Sequence, residues 1–258
     1  MMKTGKAGLR LAQWMALSCA LLLAGGCALL QSERDLPESF YFWVVHNRER
    51  SDADRVTDQR RKPERLLVFY GVRPGMRVLD LGAGSGYNTE LLARVVGPKG
   101  TVYAQNNRYV LDNFVRGNFD ERLKKEAMRN VVHVVREFDD PVPPEARNLD
   151  LVTFNFVYHD TVWLGTDRAR MNRAVFNALK PGGVYIIADH SAKAGAGTGV
   201  TKSLHRIEES VLRKEVEAAG FKLAAEADFL RNPDDPRDAP VFKPRVPNDE
   251  FVLKFVKP

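Results

Sequence analysis

The chain has 258 residues, of which 44% are hydrophobic and 28% charged, a composition typical of a folded protein with an apolar core. Its formal net charge is +6, but Lys3, Lys6 and Arg10 supply half of that excess within the first ten residues. The other basic and acidic residues are interspersed, which disfavours a nucleic-acid-binding face. The only two cysteines, Cys19 and Cys27, lie near the N-terminus, so the rest of the chain has no disulfide, thiolate nucleophile or cysteine zinc site.

The first thirty residues predict an export or anchoring segment. Three basic residues precede an uncharged run, rich in Leu and Ala, from Leu11 to Leu30, which is the arrangement of a secretory signal. Residues 23–27 also resemble a bacterial lipoprotein signal, in which Cys27 would be lipidated, although Ala24 stands where Leu is usual. An uncleaved anchor is the alternative, because twenty apolar residues can just span a bilayer core. We predict residues 1–27 to be a signal peptide or membrane anchor, and the protein to be exported or anchored on the periplasmic side rather than cytoplasmic.

Residues 28–62 form a predicted N-terminal arm. Charged and aromatic residues alternate there, with Phe40 to Trp43 set between Glu38 and Arg48. We expect a helix in this arm that packs on the following domain or covers its pocket.

From Pro63 onward, short apolar runs alternate with amphipathic segments, which predicts βαβ units and a parallel sheet. Pro63 suits the first position of a helix, and Gly71 its end. The predicted helices are 64–70, 88–96, 167–179 and 207–219, and the predicted strands are 77–81, 101–104, 131–136, 149–156, 183–188, 221–229 and 251–256. The last two strands flank a loop rich in Pro and Asp that begins at Asn232, so we expect an antiparallel hairpin at the sheet edge. Residues 63–258 are predicted to form one domain.

A glycine motif, D-x-G-x-G-x-G, lies between the first strand and the next helix, with its glycines at 82, 84 and 86. Glycines there leave the main chain bare for a ligand and permit positive φ angles. The spacing is not that of the dinucleotide fingerprint, whose last glycine would stand at Tyr87. The motif resembles motif I of class I S-adenosylmethionine-dependent methyltransferases, and the Leu179–Gly183 segment resembles the turn into that family's fifth strand.

The resemblance covers about residues 63–258 and implies an α/β, Rossmann-like fold. Its sheet would have seven mostly parallel strands, with helices on both faces and a C-terminal antiparallel hairpin. S-adenosylmethionine is the implied cofactor. A narrower resemblance, carried by residues 61–63, 74–76, 204–207 and 232–233, is to a group of bacterial predicted methyltransferases of unknown substrate.

The same resemblance implies a set of cofactor-binding residues: Asp80, Gly82, Gly84, Gly86, Tyr87, Gln105, Asn106, Asp139 and Asn155. Asp139 matches a position that commonly contacts the adenine amino group. Gln105 stands where the family usually has an acidic residue that accepts hydrogen bonds from both ribose hydroxyls. An amide oxygen accepts such a bond without the charge that strengthens it.

Residues after the fourth and fifth strands should face the transferred methyl group, because ligands of open parallel sheets bind beyond the carboxyl ends of the strands. His159, Asp160 and His190 are the predicted catalytic residues there. A histidine has a suitable pKa for removing an acceptor's proton, and Asp160 or Asp189 would orient it. A purely structural role for both histidines is the alternative. A divalent-metal site of Asn155, Asp160, Asp189 and His190, similar to that of catechol-type O-methyltransferases, also stays open.

We therefore predict a methyltransferase that acts on a small-molecule acceptor. Asn155 and Tyr158 keep the ends of the Asn/Asp-Pro-Pro-Tyr/Phe pattern of adenine and glutamine N-methyltransferases, but both prolines are missing. The rival hypothesis is an exported ligand-binding protein that keeps the fold without catalysis, because the methyl donor is made in the cytoplasm while the N-terminus points outward. The glycine-rich loop 195–199 is expected to be either a lid over the pocket or a plain connection.

Overall fold

The computed structural model describes residues 36–242 and 244–258. The predictions of a signal, a lipidated Cys27 and an anchor fall on residues outside this part of the chain. The chain divides into two units between Phe40 and Tyr41, and the sheet lies within the second, Tyr41–Pro258. Among the described residues, no helix has both the length and the apolar character needed to cross a bilayer.

The second unit is built on one seven-stranded sheet with the order β3-β2-β1-β4-β5-β7-β6. Its strands are β1 Arg77–Leu81, β2 Thr101–Asn106, β3 Val131–Val135, β4 Leu149–Asn155, β5 Leu179–His190, β6 Lys222–Ala227 and β7 Glu250–Val256. The first five strands are parallel to one another, and β7 runs antiparallel between β5 and β6. This arrangement confirms the predicted mostly parallel sheet with an antiparallel C-terminal hairpin.

Helices flank the sheet, as expected of βαβ units. The helices of the described residues are α1 Glu38–Val45, α2 Asp52–Arg61, α3 Pro63–Tyr70, α4 Tyr87–Val96, α5 Arg108–Val110, α6 Arg116–Leu123, α7 Asp160–Trp163, α8 Arg168–Ala178, α9 Thr201–Leu204 and α10 Glu209–Ala218, and a π-helical turn over Leu111–Val115 joins α5 to α6. Pro63 occupies the start of α3, and Gly71 ends it with φ +68°, as predicted.

The middle of the sheet is buried because it is covered on both faces. In β4, which pairs with β1 and β5, five of the seven residues are buried. Large side chains from the strands pack with residues of α8 and α10 in one core, for example Phe154, Met171 and Leu212. This packing gives the ends of the central strands fixed positions.

Several element boundaries and short helices differ from the sequence prediction. The second strand was predicted to end at Ala104, but β2 continues through Gln105 and Asn106, which pair with Val134 and Val135 of β3. Segments α5 and α6 were not predicted as helices, because α5 spans only three residues and α6 is mostly polar and charged, so neither gives an apolar periodicity.

Candidate active site

The glycine loop, residues 82–86, joins β1 to α4. Gly84 has φ +59°, and no atom lies within 4 Å of the position that a Cβ would take. At Gly82, with φ +63°, a Cβ would come within 2.9 Å of the Phe154 ring. Packing and backbone conformation therefore exclude a side chain at Gly82, whereas the space on the Cβ side of Gly84 is open to a ligand.

Two amide side chains at the end of β2 hold the glycine loop in place. Gln105 Oε1 accepts a hydrogen bond from the Gly82 amide at 2.9 Å, and its Nε2 donates to the Arg136 carbonyl at 2.6 Å. Asn106 Oδ1 accepts from the Gly84 amide at 2.8 Å. Both side chains are buried. Because protein atoms occupy both ends of the Gln105 amide, these residues position the loop, and their direct contact with the cofactor stays a prediction.

Asp80 of β1 is buried, and both of its carboxylate oxygens accept hydrogen bonds from neighbouring side chains. It accepts hydrogen bonds from Asn88 Nδ2 at 2.8 Å, Thr89 Oγ1 at 2.6 Å and Thr153 Oγ1 at 2.8 Å. Burial raises the pKa of the Asp80 carboxyl above its usual value, although these three hydrogen bonds oppose the shift. Asp80 thus ties the first turn of α4 to β1 and β4, directly behind the glycine loop.

A cavity of about 640 Å³ lies beside the glycine loop. Its walls come from α2, α4, α6, the loop and the segment that follows β4. Five of the predicted cofactor-binding residues line it: Asp80, Gly82, Gly84, Tyr87 and Asn155. The volume falls in the range of about 300–1,000 Å³ that is usual for sites of small ligands.

Two polar atoms at this cavity are buried without a hydrogen-bond partner, Arg61 Nη1 and Asn155 Oδ1. The Arg61 guanidinium lies 3.2 Å from the centre of the Phe156 ring. Burial lowers the pKa of Arg61 to about 9, and the charge of Arg60 acts in the same direction. Asn155 uses its Nδ2 to donate to the Tyr70 hydroxyl at 2.8 Å. A buried cation and a buried acceptor without partners are what an anionic group and a donor group of a ligand would satisfy.

Ion pairs join the helices around the cavity. Arg122 of α6 binds the Asp54 carboxylate through both terminal nitrogens, at 2.7 and 2.8 Å, and also contacts Glu90 of α4. Tyr87 donates its hydroxyl to Asp58 Oδ1 of α2 at 2.6 Å. Sequence reasoning missed Asp54 and Arg122, because the charges of residues 68 positions apart show no local pattern. It also gave no role to Arg61, since only the tertiary fold brings α2 to the glycine loop.

A second group of polar residues, the histidine cluster, consists of His159, Asp160 and His205. His159 Nε2 lies 3.3 Å from His205 Nδ1 and 3.1 Å from Asp160 Oδ1. His205 Nδ1 lies 3.1 Å from the same Asp160 oxygen. Behind the cluster, Asp189 holds His159 through both the ring Nδ1, at 2.6 Å, and the main-chain amide, at 2.8 Å. The structure therefore brings the predicted residues His159 and Asp160 together and adds His205, which was not predicted.

The predicted catalytic histidines differ in charge. Burial lowers the pKa of His159, but the carboxylates of Asp189 and Asp160 outweigh it and raise the pKa to about 10. Burial lowers the pKa of His190 below its usual value, so this ring is neutral at pH 7. The His190 ring centre lies 5.2 Å from that of Phe156, which borders the cavity. His159 carries a proton at pH 7 and must lose it before it can act as a general base. His190 is already unprotonated at this pH.

Asp139, the predicted adenine contact, is partly exposed and pairs with Arg170 at 3.4 Å. It does not line the cavity, and neither do Gly86, Gln105, Asn106 and the three predicted catalytic residues. In the glycine-rich loop, the Gly197 amide donates to Glu208 Oε2 at 2.8 Å. The roles of Asp139 and of this loop as a lid stay predictions.

Comparison with known proteins identifies the family. Residues 73–219, more than half of the chain, match the model of a methyltransferase domain. The ubiquinone/menaquinone biosynthesis C-methyltransferase UbiE of Vibrio vulnificus is 32% identical over 121 residues, which are 47% of this chain and 44% of that protein. A protein-L-isoaspartate O-methyltransferase of Aeropyrum pernix is 45% identical over 71 residues, 28% of this chain and 26% of that protein. The match thus spans less than half the length of these curated relatives.

Among solved structures, a S-adenosylmethionine-dependent methyltransferase from Aquifex aeolicus has the same fold. It superposes with a TM-score of 0.59 at 18% identity, over 87% of this chain and 100% of that one. The sheet order, the glycine loop and this likeness define the class I, Rossmann-like methyltransferase fold. The chain belongs to the methyltransferase domain family, and its cofactor is S-adenosylmethionine.

Proposed function

We propose that this protein transfers the methyl group of S-adenosylmethionine to a small-molecule acceptor that binds in the cavity beside the glycine loop. The observation that carries the proposal is the pair of buried, unpartnered atoms, Arg61 Nη1 and Asn155 Oδ1, on the wall of the cavity that the loop borders. The methionine part of the cofactor carries one carboxylate and one ammonium group. The residues present fit these groups: Arg61 pairs with the carboxylate, and Asn155 accepts a hydrogen bond from the ammonium.

When bound, the cofactor supplies a methyl group on a positively charged sulfur, which is already a strong electrophile. The protein's main task is therefore to align the acceptor. Phe156 and Val157 give the cavity an apolar wall directly after β4, where a planar or apolar acceptor can pack. The volume of the cavity and the match to relatives named for quinone biosynthesis support an acceptor of small-molecule size.

Calorimetry of the full-length chain tests cofactor binding. We expect S-adenosylmethionine to bind in the micromolar range, and a methylated product to appear by mass spectrometry when phenolic and quinol acceptors are supplied. An absence of binding up to millimolar cofactor would contradict the proposal and favour the rival ligand-binding protein. Cofactor binding without transfer to any small molecule would reject the acceptor class while leaving the site in place.

Arg61→Met tests the assignment of the carboxylate. The substitution removes a charge-assisted hydrogen bond, so we expect the dissociation constant for S-adenosylmethionine to rise about 10- to 100-fold. Arg55→Met is the matched control, since Arg55 lies on the same helix and does not line this cavity, and its affinity should stay at the wild-type value. Equal affinities in the two variants would remove Arg61 from the site.

We also propose that the N-terminal segment exports or anchors the protein, as its basic, apolar and small-residue order suggests. Fusion of the C-terminus to alkaline phosphatase should give enzyme activity, and fusion to a green fluorescent protein should stay dark. The fusions should report the opposite pattern after deletion of residues 1–27. Bright cytoplasmic fluorescence of the full-length fusion would refute the proposal.

A further inference from the structure

The histidine cluster has the dimensions of a metal site. Its three ligand atoms, His159 Nε2, His205 Nδ1 and Asp160 Oδ1, are separated by 3.3, 3.1 and 3.1 Å. Ligands at about 2.0–2.1 Å from a tetrahedral Zn²⁺ lie about 3.3 Å apart. The three atoms therefore already form one face of a tetrahedron around a point that lies within bonding distance of each.

The surroundings of the cluster are those of a prepared site. Asp189 accepts a hydrogen bond from His159 Nδ1, which aims the opposite ring nitrogen, Nε2, at the other two ligands. A carboxylate behind a histidine is the usual outer partner of a zinc ligand, because it fixes the ring and raises its basicity. Asp160 is fixed in turn by the Trp163 indole, which donates to its Oδ1 at 2.8 Å.

His205 is also held in place by the fold. It adopts a left-handed conformation with φ +53°, which costs energy for a residue other than glycine. The next residue, Arg206, is fully buried and binds Asp235 and the Asn248 side chain. These contacts fix the backbone at His205, so that its ring lies beside that of His159, which is 46 residues earlier in the chain. The side chains of His205 and Asp160 are 24% and 22% exposed, which gives an ion a path from solvent.

We propose that His159, His205 and Asp160 bind one Zn²⁺ ion, which displaces to solvent the proton that His159 Nε2 carries in the metal-free protein. Two imidazole nitrogens and one carboxylate favour zinc over magnesium or calcium, which prefer oxygen ligands. The set differs from the metal site considered from sequence, since Asn155 and His190 are not part of the cluster and Asp189 lies behind it. Three protein ligands leave the fourth position open for water or for a donor atom of another molecule. The bound ion would also clamp the residue that follows α9 to the end of β4.

Zinc binding is tested on the untagged full-length chain carrying Cys19→Ser and Cys27→Ser, so that neither a tag nor a thiolate competes for the ion. After dialysis against a chelator, Zn²⁺ is titrated in competition with a chromogenic indicator. We expect one Zn²⁺ per chain with a submicromolar dissociation constant. Co²⁺ added instead of Zn²⁺ should give the intense visible absorption of a tetrahedral complex. Less than one equivalent of zinc, or a Co²⁺ spectrum of six-coordinate type, would overturn the proposal.

Variants separate this site from other zinc-binding groups. His205→Gln and Asp160→Asn should each weaken zinc binding more than about 100-fold, and Asp189→Asn about 10- to 100-fold. His46→Gln is the control, because His46 is a surface histidine outside the cluster, and it should bind zinc as the parent does. Far-ultraviolet circular dichroism of the metal-free variants checks their folding, and Asp160→Asn serves if His205→Gln does not fold. Parental affinity in either ligand variant would refute the site. None of these readouts depends on methyl transfer, so their failure would leave the proposed function untouched.

Discussion

Gly84 and Arg61 show what single residues contribute to the proposed cofactor site. Gly84 contributes a bare main chain at φ +59°, and Arg61 contributes a charge that the described protein atoms leave partly unsatisfied. One residue provides room and the other provides attraction. Both contributions are needed. A ligand must fit the cavity, and its polar groups must find protein partners in place of the water that they leave.

Gly84→Ala should damage cofactor binding more than it damages the fold. A left-handed conformation costs a residue with a Cβ about 1–2 kcal/mol, so the free energy of unfolding should fall by about that amount. The new methyl group would point into the open space beside the cavity, and we expect the dissociation constant for S-adenosylmethionine to rise at least about tenfold by calorimetry.

Gly75→Ala is the matched control for this prediction. Gly75 has φ +82° and no atom within 4 Å of a Cβ position, but it does not line the cavity. The control should lose similar stability and keep the cofactor affinity of the wild type. If both variants bind the cofactor equally well, the open space at Gly84 has no part in binding.

At the scale of helices, α2, α4 and α6 are held around the cavity by charge. Glu90 of α4 is fully buried and is contacted by Arg94, Arg122 and Lys125. Burial alone would raise its pKa, but the hydrogen bonds from Lys125 and Arg94 and the charge of Arg122 hold the pKa of Glu90 below its usual 4.5. Glu90 is therefore charged in the folded protein at every pH at which it is charged in the unfolded chain.

Glu90→Gln should change how stability depends on pH. A depressed pKa contributes stability above pH 4.5, and this contribution is lost as the pH falls through the lower value of the folded state. We expect the variant to be less stable than the wild type by about 3 kcal/mol at pH 7, and the difference to shrink below pH 4. Urea unfolding at several pH values measures it. Glu126→Gln removes an exposed ion pair and should change stability by less than about 1 kcal/mol at any pH.

At the scale of the whole molecule, β7 completes the sheet although it is the last element of the chain. It pairs with β5 on one side and β6 on the other, and five of its seven residues are buried. Without it, β6 would have no neighbour in the sheet. The C-terminal residues thus determine whether the edge beyond β5 forms at all.

Val252→Ala should be costly for this reason. Val252 is fully buried in β7, and loss of two methyl groups from the core should lower the free energy of unfolding by about 2 kcal/mol. Val132→Ala in the edge strand β3, where the side chain is 39% exposed, should cost less than half as much. Chemical denaturation of both variants compares them directly. Similar losses at the two positions would contradict the central role of β7.

Much of the fold could be predicted because its signals are local. Pro63 and Gly71 bound α3 through their own backbone preferences, and the lack of apolar–polar alternation in β4 indicates a strand covered on both faces. Predictions were less accurate at the end of β2, since the ladder with β3, not local composition, extends the strand to Asn106. The cavity residues were predicted where a motif or a strand end marks them, as for Gly82, Gly84 and Asn155.

The sequence by itself determined the parallel sheet and the glycine loop, because periodicity and glycine conformation act within a few residues. Only the tertiary structure decided which distant side chains meet there. It turns Gln105 inward to brace the loop, brings Arg61 to the cavity and sets His205 beside His159. Such contacts depend on how whole elements pack, and the chemistry of a residue does not reveal what another element will place next to it.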